Sequence, residues 1–301
     1  MRRKIIKQGN NTLTITLPSE WARRYNLQAG NEIELEERGK SLILRTDKKS
    51  NLEQCSMSIS NLDPMLRRTL FALYLKGYEE ISLTFNSARE MDIIQSSMNE
   101  IIGMEVIDQV KNTIIIKELA HPEYSEFDNI LRKTFLLLLN TSKETLSAWE
   151  KGDYDYLDAL AQTDKNVNKF TNFCRRTLVK NDSYDFRKSS SMFLIVAELE
   201  KIGDLYRDIC LHIAKNKFKT NKEVHVVFED VNNFLHDFYD IFYKFELKKL
   251  RDMSKSKERL DKEIESLFGK ASKKEMKILF QLSTISEITF DMTIPLLIIN
   301  L

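Results

Sequence analysis

Backbone breakers are scarce: the 301 residues include only 4 Pro and 8 Gly. With 30% charged residues, this excludes collagen-like and low-complexity chains and predicts long helices over much of the length. Cysteine is nearly absent as well. Cys55, Cys174 and Cys210 are odd in number, far apart and unpatterned, which argues against a disulfide framework and suits a reducing cytosol. Long aliphatic runs are missing too. Stretches 135–139 and 295–299 fall well short of the roughly 18 residues needed to cross a bilayer, so no membrane insertion is expected. The basic start, MRRKIIKQGNN, is followed by no apolar segment, so no signal peptide is expected either. In the helical part, His212, His225 and His236 have no glutamate three residues earlier, so the Glu-x-x-His pairs of ferritin-like carboxylate bundles are not found there. No Ser/His/Asp or Cys/His arrangement stands out, and an enzyme is not expected.

The most ordered pattern present lies at 192–214, MFLIVAELEKIGDLYRDICLHIA. Ile195, Leu199, Ile202, Tyr206, Ile209 and Ile213 recur in steps of four and three, which predicts a helix with one buried stripe. Glu200, Asp204 and Asp208 form a row along its flank, either a metal shelf or a solvated acidic edge. Gly203 sits among them, and a mid-helix glycine costs about 1 kcal/mol relative to alanine. Its presence predicts a partner helix passing close at that turn. From residue 126 onward the chain reads as helical, with segments 127–151, 154–179, 189–215, 223–251, 255–268 and 273–294. Phe234, Phe238, Tyr239, Phe242, Tyr243 and Phe245 cover one face of the fourth segment and are expected in the core.

The string Glu200-Lys201-Ile202-Gly203-Asp204 resembles the E-R-I-G-D motif in the last helix of the PhoU three-helix repeat. The resemblance implies two tandem three-helix units, 123–217 and 223–301, and a cytoplasmic regulator of phosphate uptake. It also implies metal at Glu200 and Asp204, repeated in the second unit at Glu287 and Asp291. The middle helices offer Asp164 with Asn168, and Asp261 with Glu265. Such an all-oxygen donor set favours Mg, Ca, Mn or ferric Fe over zinc. The chain departs from the family pattern where Asn168 replaces a carboxylate, and where Ile288 and Phe290 stand in place of Lys201 and Gly203.

The net charge of +1 hides an asymmetry. Residues 1–50 carry eleven Lys or Arg against six acids, and the first 24 carry six cations against Glu20 alone, a balance that suits a polyanion. This front segment reads as strands 4–7, 13–17, 32–36 and 41–45 with a short helix at 20–25. Asn10-Asn11 and Arg38-Gly39 are the expected turns. About 45 residues of this kind bury little core alone, so pairing with a second copy is expected. The string KIIKQGNNTLTITLPSEWARRYNLQAGNEIELE resembles the swapped-hairpin domain of the AbrB, MazE and SpoVT families. That resemblance implies a dimeric barrel at 1–48 that binds DNA through Arg2, Arg3, Lys4, Lys7, Arg23 and Arg24, or a barrel that only dimerises. Asn10-Asn11 stand where many AbrB members have Gly-Arg.

A polar linker, 47–52, precedes a small α/β domain at 53–119 with strands and helices in the order βαβαββ. Asp63 is expected to cap its first helix at 64–76. The fold class expected is therefore multidomain: a swapped-hairpin barrel, a small α/β domain and a tandem all-α bundle. The two resemblances together imply a homodimeric, phosphate-responsive transcription regulator. The alternative is an adaptor restraining a phosphate transporter ATPase or a signalling kinase, with DNA as a partner only in the first case.

Overall fold

The computed structural model describes residues 2–9, 11–38, 40–46, 53–119, 125–180 and 186–301. The expected linker at 47–52, the breaker at 120–123, and Asn10, Gly39 and His121 lie outside the described residues.

At the front, β1 (Ile6–Gln8) pairs antiparallel with β2 (Thr12–Thr14), followed by α1 (Ser19–Arg24). A second antiparallel hairpin joins β3 (Glu34–Arg38) to β4 (Ser41–Arg45). The first strands are shorter than expected, and the half-buried strand anticipated at 13–17 is not half-buried within one chain. Leu13 is 69% exposed, Ile6 53% and Leu35 60%, and α1 buries no residue. Two two-stranded ribbons offer no opposing apolar face to cover these side chains.

The middle region consists of β5 (Gln54–Ser58), α2 (Leu66–Leu75), β6 (Glu80–Thr84), α3 (Ala88–Met98), β7 (Met104–Val110) and β8 (Thr113–Glu118). The strand order is β5-β6-β8-β7, with β5 parallel to β6 and the other pairs antiparallel. Leu66, Leu70 and Tyr74 of α2 and Ile94 of α3 are buried with Ile81 and Leu83 of β6 and Ile114 and Ile116 of β8. The helix α3 starts at a capping box, with Ser87 accepting from the Glu90 amide and Glu90 accepting from the Ser87 amide. Asp63 does not cap α2. The Asp63–Pro64 peptide is cis, the helix begins at Leu66, and the Asp63 carboxylate pairs with Arg89 at 2.5 Å.

The helical region runs through α4 (Ser125–Lys151), α5 (Tyr154–Ala161), α6 (Asp164–Lys180), α7 (Phe186–Asn216), α8 (Lys222–Tyr243), α9 (Leu247–Phe268), α10 (Lys273–Asp291) and α11 (Thr293–Asn300). All six stripe residues on α7 are fully buried, and α7 packs against α4, α5, α6, α10 and α11. On α8, Phe234 and Phe238 are buried, and Phe135 of α4 stands among Phe238, Tyr239, Phe242 and Tyr243, its ring centroid 5.1 Å from that of Phe242.

Three helix boundaries differ from expectation. The segment 154–179 is two helices, because the chain breaks at Gln162-Thr163 and the Thr163 hydroxyl donates back to the Leu160 carbonyl at 2.7 Å. The segment 223–251 ends at Tyr243, where Lys244 leaves helical geometry, and α9 then starts at Leu247. The chain does not stop being helical at Pro295, which lies in the first turn of α11, where proline is tolerated.

The stretch Lys273–Asn300, spanning α10 and α11, is long and apolar enough by composition to cross a membrane, with a window of mean hydropathy 1.5. Uncharged Ser, Thr and Gln interrupt its aliphatic runs without lowering the window much, which is why counting unbroken runs missed it. Of that window 44% is buried inside the protein, and α10 packs on α7, α8 and α9.

Candidate functional site

The acidic row on α7 meets α6 where Gly203 allows close approach. A Cβ on Gly203 would lie 2.9 Å from Val167 Cγ1 and 3.4 Å from Asp164 Oδ1, so the partner helix anticipated at this glycine is α6. Asp164, in the first turn of α6, is buried. Its Oδ2 accepts from Arg207 Nη1 at 2.8 Å and from the Asn168 amide at 3.2 Å. Arg207 also donates to Asp204 through Nη1, and to Asp208 through Nη2 at 3.0 Å and Nε at 3.2 Å. One turn toward the N-terminus of α7, Glu200 accepts from Arg175 of α6, whose Nη2 donates also to Asn172 Oδ1 at 2.8 Å. The structure thus gathers Asp164, Asn168, Glu200 and Asp204 as the sequence implied, but around two guanidinium groups.

Burial raises the Glu200 carboxyl above its usual range despite the nearby Arg175, with Asp204 and Asp164 adding to the rise. Burial likewise raises Asp164, against the pull of Arg207. Asp164 Oδ1, Asn168 Oδ1 and Arg175 Nε are buried without a hydrogen-bond partner. Asp164, Gly203, Thr141, Thr163 and Arg207 line a cavity of about 10 Å³, room for about one water molecule. Among the described residues, no three Asp, Glu, His or Cys side chains converge in an arrangement suited to a metal ion.

In the second unit the corresponding residues are not gathered. Asp261, Glu265, Glu287 and Asp291 are all exposed, and Asp261 pairs with Lys257 of its own helix at 2.5 Å. Ile288, at the place of Lys201, is half-buried against the core and so fills space with apolar bulk. The chain's one Glu-x-x-His spacing, Glu118 to His121, starts at the end of β8, where Glu118 is tied into ion pairs with Arg176 and Lys180.

At the front, Arg2, Arg3, Lys4, Lys7, Arg23 and Arg24 are all exposed, on or beside β1 and in the last turn of α1. Trp21 and Tyr25 are partly buried against each other, with ring centroids 5.5 Å apart.

Sequence reasoning passed over three arginines. Arg207 lies three residues after Asp204, the spacing of a helical ion pair, and was legible as its partner. Arg175 reaches Glu200 across a helix interface, and nothing local marks it. Arg176 is fully buried and joins α6 to the middle region, donating to the carbonyls of Tyr74 and Tyr78 and to Glu118, the last at 3.0 Å.

These features define a chain with a β-rich front, a small α/β region and an all-helical region. Residues 6–52 match a family described as "Antidote-toxin recognition MazE, bacterial antitoxin". Among solved structures, the chain is similar to the phosphate transport system regulatory protein PhoU from Streptococcus pneumoniae, at 16% identity and a TM-score of 0.50. That match covers 58% of this chain and 94% of the relative. A PhoU-like phosphate regulatory protein from Shewanella oneidensis MR-1 matches at 10% identity and a TM-score of 0.39, over 56% of this chain and 95% of that one. No curated protein matches. The chain therefore joins a MazE/AbrB-type domain at its N-terminus to a helical region of the PhoU fold.

Proposed function

We propose that this protein is a cytoplasmic, homodimeric regulator that binds DNA through its front domain and responds to phosphate status through its helical region. The observation that carries the reading is the front segment itself. Its hairpins leave Ile6, Leu13, Leu35 and Leu42 more than half exposed, beside six exposed cations. Apolar exposure on both hairpins calls for a covering surface, and a second copy of the same hairpins supplies one. Two such copies also double the cationic footprint offered to phosphates. In this reading the helical region supplies regulation, as the name of its Streptococcus pneumoniae structural relative suggests, and no catalytic role is assigned.

The test is binding of the full chain to DNA from its own promoter and from phosphate-transport promoters across a salt series. Arg23→Ala with Arg24→Ala removes up to four cations per dimer, which lowers the slope of log K against log salt by about 3.6 if all contact phosphate. Selective binding with a steep slope that the double variant flattens supports a transcription regulator. Binding that is absent, or equal on all sequences, sinks it.

The description of the matched family, toxin recognition, favours one second reading: the front domain dimerises and grips a protein, and the helical region restrains a transporter ATPase or signalling protein. In that case the Arg23/Arg24 variant keeps its dimer and its protein partner while DNA binding is never seen.

A further inference from the structure

We propose that Arg207 is the resident cation of the α4–α7 unit, holding Asp164, Asp204 and Asp208 together so that this shelf takes up no divalent metal ion. The geometry points there first. Its guanidinium reaches carboxylates from two helices at once: Asp164 on α6, and Asp204 and Asp208 on α7. A guanidinium is a planar fork of five donors that never loses its charge, so it can satisfy three carboxylates approaching from different sides. The remaining carboxylate of the row, Glu200, is closed in the same way by Arg175, whose guanidinium also lies over the Phe193 ring at 6.0 Å.

A hard divalent cation needs about six oxygens around it, at roughly 2.0–2.6 Å. Here nitrogen donors already face the inward oxygens of the row, and a cation placed among them would sit beside two fixed positive charges. The oxygen of the cluster left without a partner on the Gly203 side, Asp164 Oδ1, faces only the cavity of about 10 Å³. That volume suits about one water, so beside the protein's own oxygens it admits at most one further ligand. Consistent with this, no ligand-like group of three acidic, His or Cys side chains forms among the described residues. The shelf is thereby held by the protein itself, and its integrity is independent of the supply of metal.

The experiment is a Mn²⁺ titration of the full-length chain, read by the electron paramagnetic resonance signal of the free aquo ion and by thermal unfolding with and without EDTA. For the wild type we expect no Mn²⁺ captured by the shelf: Asp204→Asn leaves the free signal unchanged, and neither Mn²⁺ nor EDTA moves the melting temperature. In Arg207→Gln the carboxylates lose their counter-ion, and the expected result is capture of one ion per chain with a melting temperature raised by Mn²⁺ and lowered again by EDTA. Arg207→Lys, which restores the charge, reverts to the metal-indifferent behaviour. Should Arg207→Gln fail to fold alone, its refolding on addition of Mn²⁺ is the same result in another form. The proposal is overturned if the wild type captures Mn²⁺ and Asp204→Asn abolishes that capture. It is equally overturned if Arg207→Gln captures no Mn²⁺, whether folded or left unfolded in its presence.

Discussion

Two arginine clusters, meeting α6 at Arg176 and at Asp164 about 3.3 helical turns apart, solve the same problem differently. Arg176 and Glu118 have side chains 0% and 2% exposed, and Arg176 uses Nε, Nη1 and Nη2 on two backbone carbonyls and Glu118. Its guanidinium also lies over the Tyr74 ring at 4.7 Å, and Lys180 completes the set by donating to Glu118 at 2.5 Å and Glu79 at 3.0 Å. Arg207 is 33% exposed, holds two of its three carboxylates on its own helix, and leaves Asp164 Oδ1 and Asn168 Oδ1 orphaned nearby. The first cluster is a densely paired link between the middle region and the bundle, buried at Arg176 and Glu118. The second leaves two buried oxygens without a protein partner, one of them, Asp164 Oδ1, lining a cavity the size of one water.

The largest expected effect comes from breaking the first cluster. Arg176→Ala strands two carbonyls and takes the guanidinium away from the buried Glu118, a loss on the order of 3 kcal/mol, measured by urea denaturation. Arg176→Met fills the space with apolar bulk and should lose less. A loss under about 1 kcal/mol for the alanine variant would show that the two regions do not depend on this network.

Next comes the close approach beside the second cluster. Gly203→Ala gains about 1 kcal/mol of helix propensity, but its methyl meets Val167 Cγ1 at 2.9 Å. Overpacking of this kind costs about 1–3 kcal/mol, so the variant should be destabilised, and Val167→Ala added to it should recover part of the loss. Stabilisation by Gly203→Ala would mean that α6 and α7 separate at no cost.

The clusters also separate by pH. Burial tends to raise Glu118, but hydrogen bonds from Lys180 and Arg176 outweigh it and hold the carboxyl below its ordinary 4.5. Its stabilisation is complete above that value and is lost as pH falls through the lower folded-state value. Glu200 and Asp164 shift the other way, above 4.5 and 3.8, chiefly through burial, so their proton uptake on acidification begins earlier and favours the folded state. Urea midpoints against pH should therefore fall less steeply below pH 4.5 in Glu118→Gln. Glu200→Gln should instead lose part of the gain on acidification toward pH 4.5. Identical pH profiles for the two variants would remove the contrast.

The smallest effect is expected for Asp204→Asn. The residue is half exposed, and its ion pair with Arg207 spans one helical turn, so a change within about 0.5 kcal/mol is expected from the melting curve. A loss of several kcal/mol would make the second cluster as structural as the first.

What the residues alone determined was periodic. The steps of three and four from Ile195 to Ile213 and the βαβαββ order of 53–119 report which side of each element faces apolar surroundings, and both are found in the structure. Of the aromatic run only Phe234 and Phe238 are fully buried, Tyr243 is 39% exposed and Phe245 lies beyond the end of α8, because the helix stops before the run does. Gly203 announced a close neighbour because a glycine in mid-helix is hard to explain otherwise. The split between α5 and α6 was hidden, because it turns on a hydroxyl of Thr163 that bonds its own backbone and reaches Thr141 on another helix. The ends of α8 and α10 were hidden for a similar reason: apolar periodicity runs on through a break that keeps the same face buried. Only the tertiary structure decided what the carboxylates of the first unit do. Their spacing placed them on one flank of α7, but Glu200 is paired by Arg175 of α6 and Arg207 reaches across to Asp164 of α6, and charge satisfaction across a helix interface leaves no periodic trace in either helix. It also decided that the same spacing in the second unit is solvated, since exposure depends on which neighbours cover a face and not on the residues that form it.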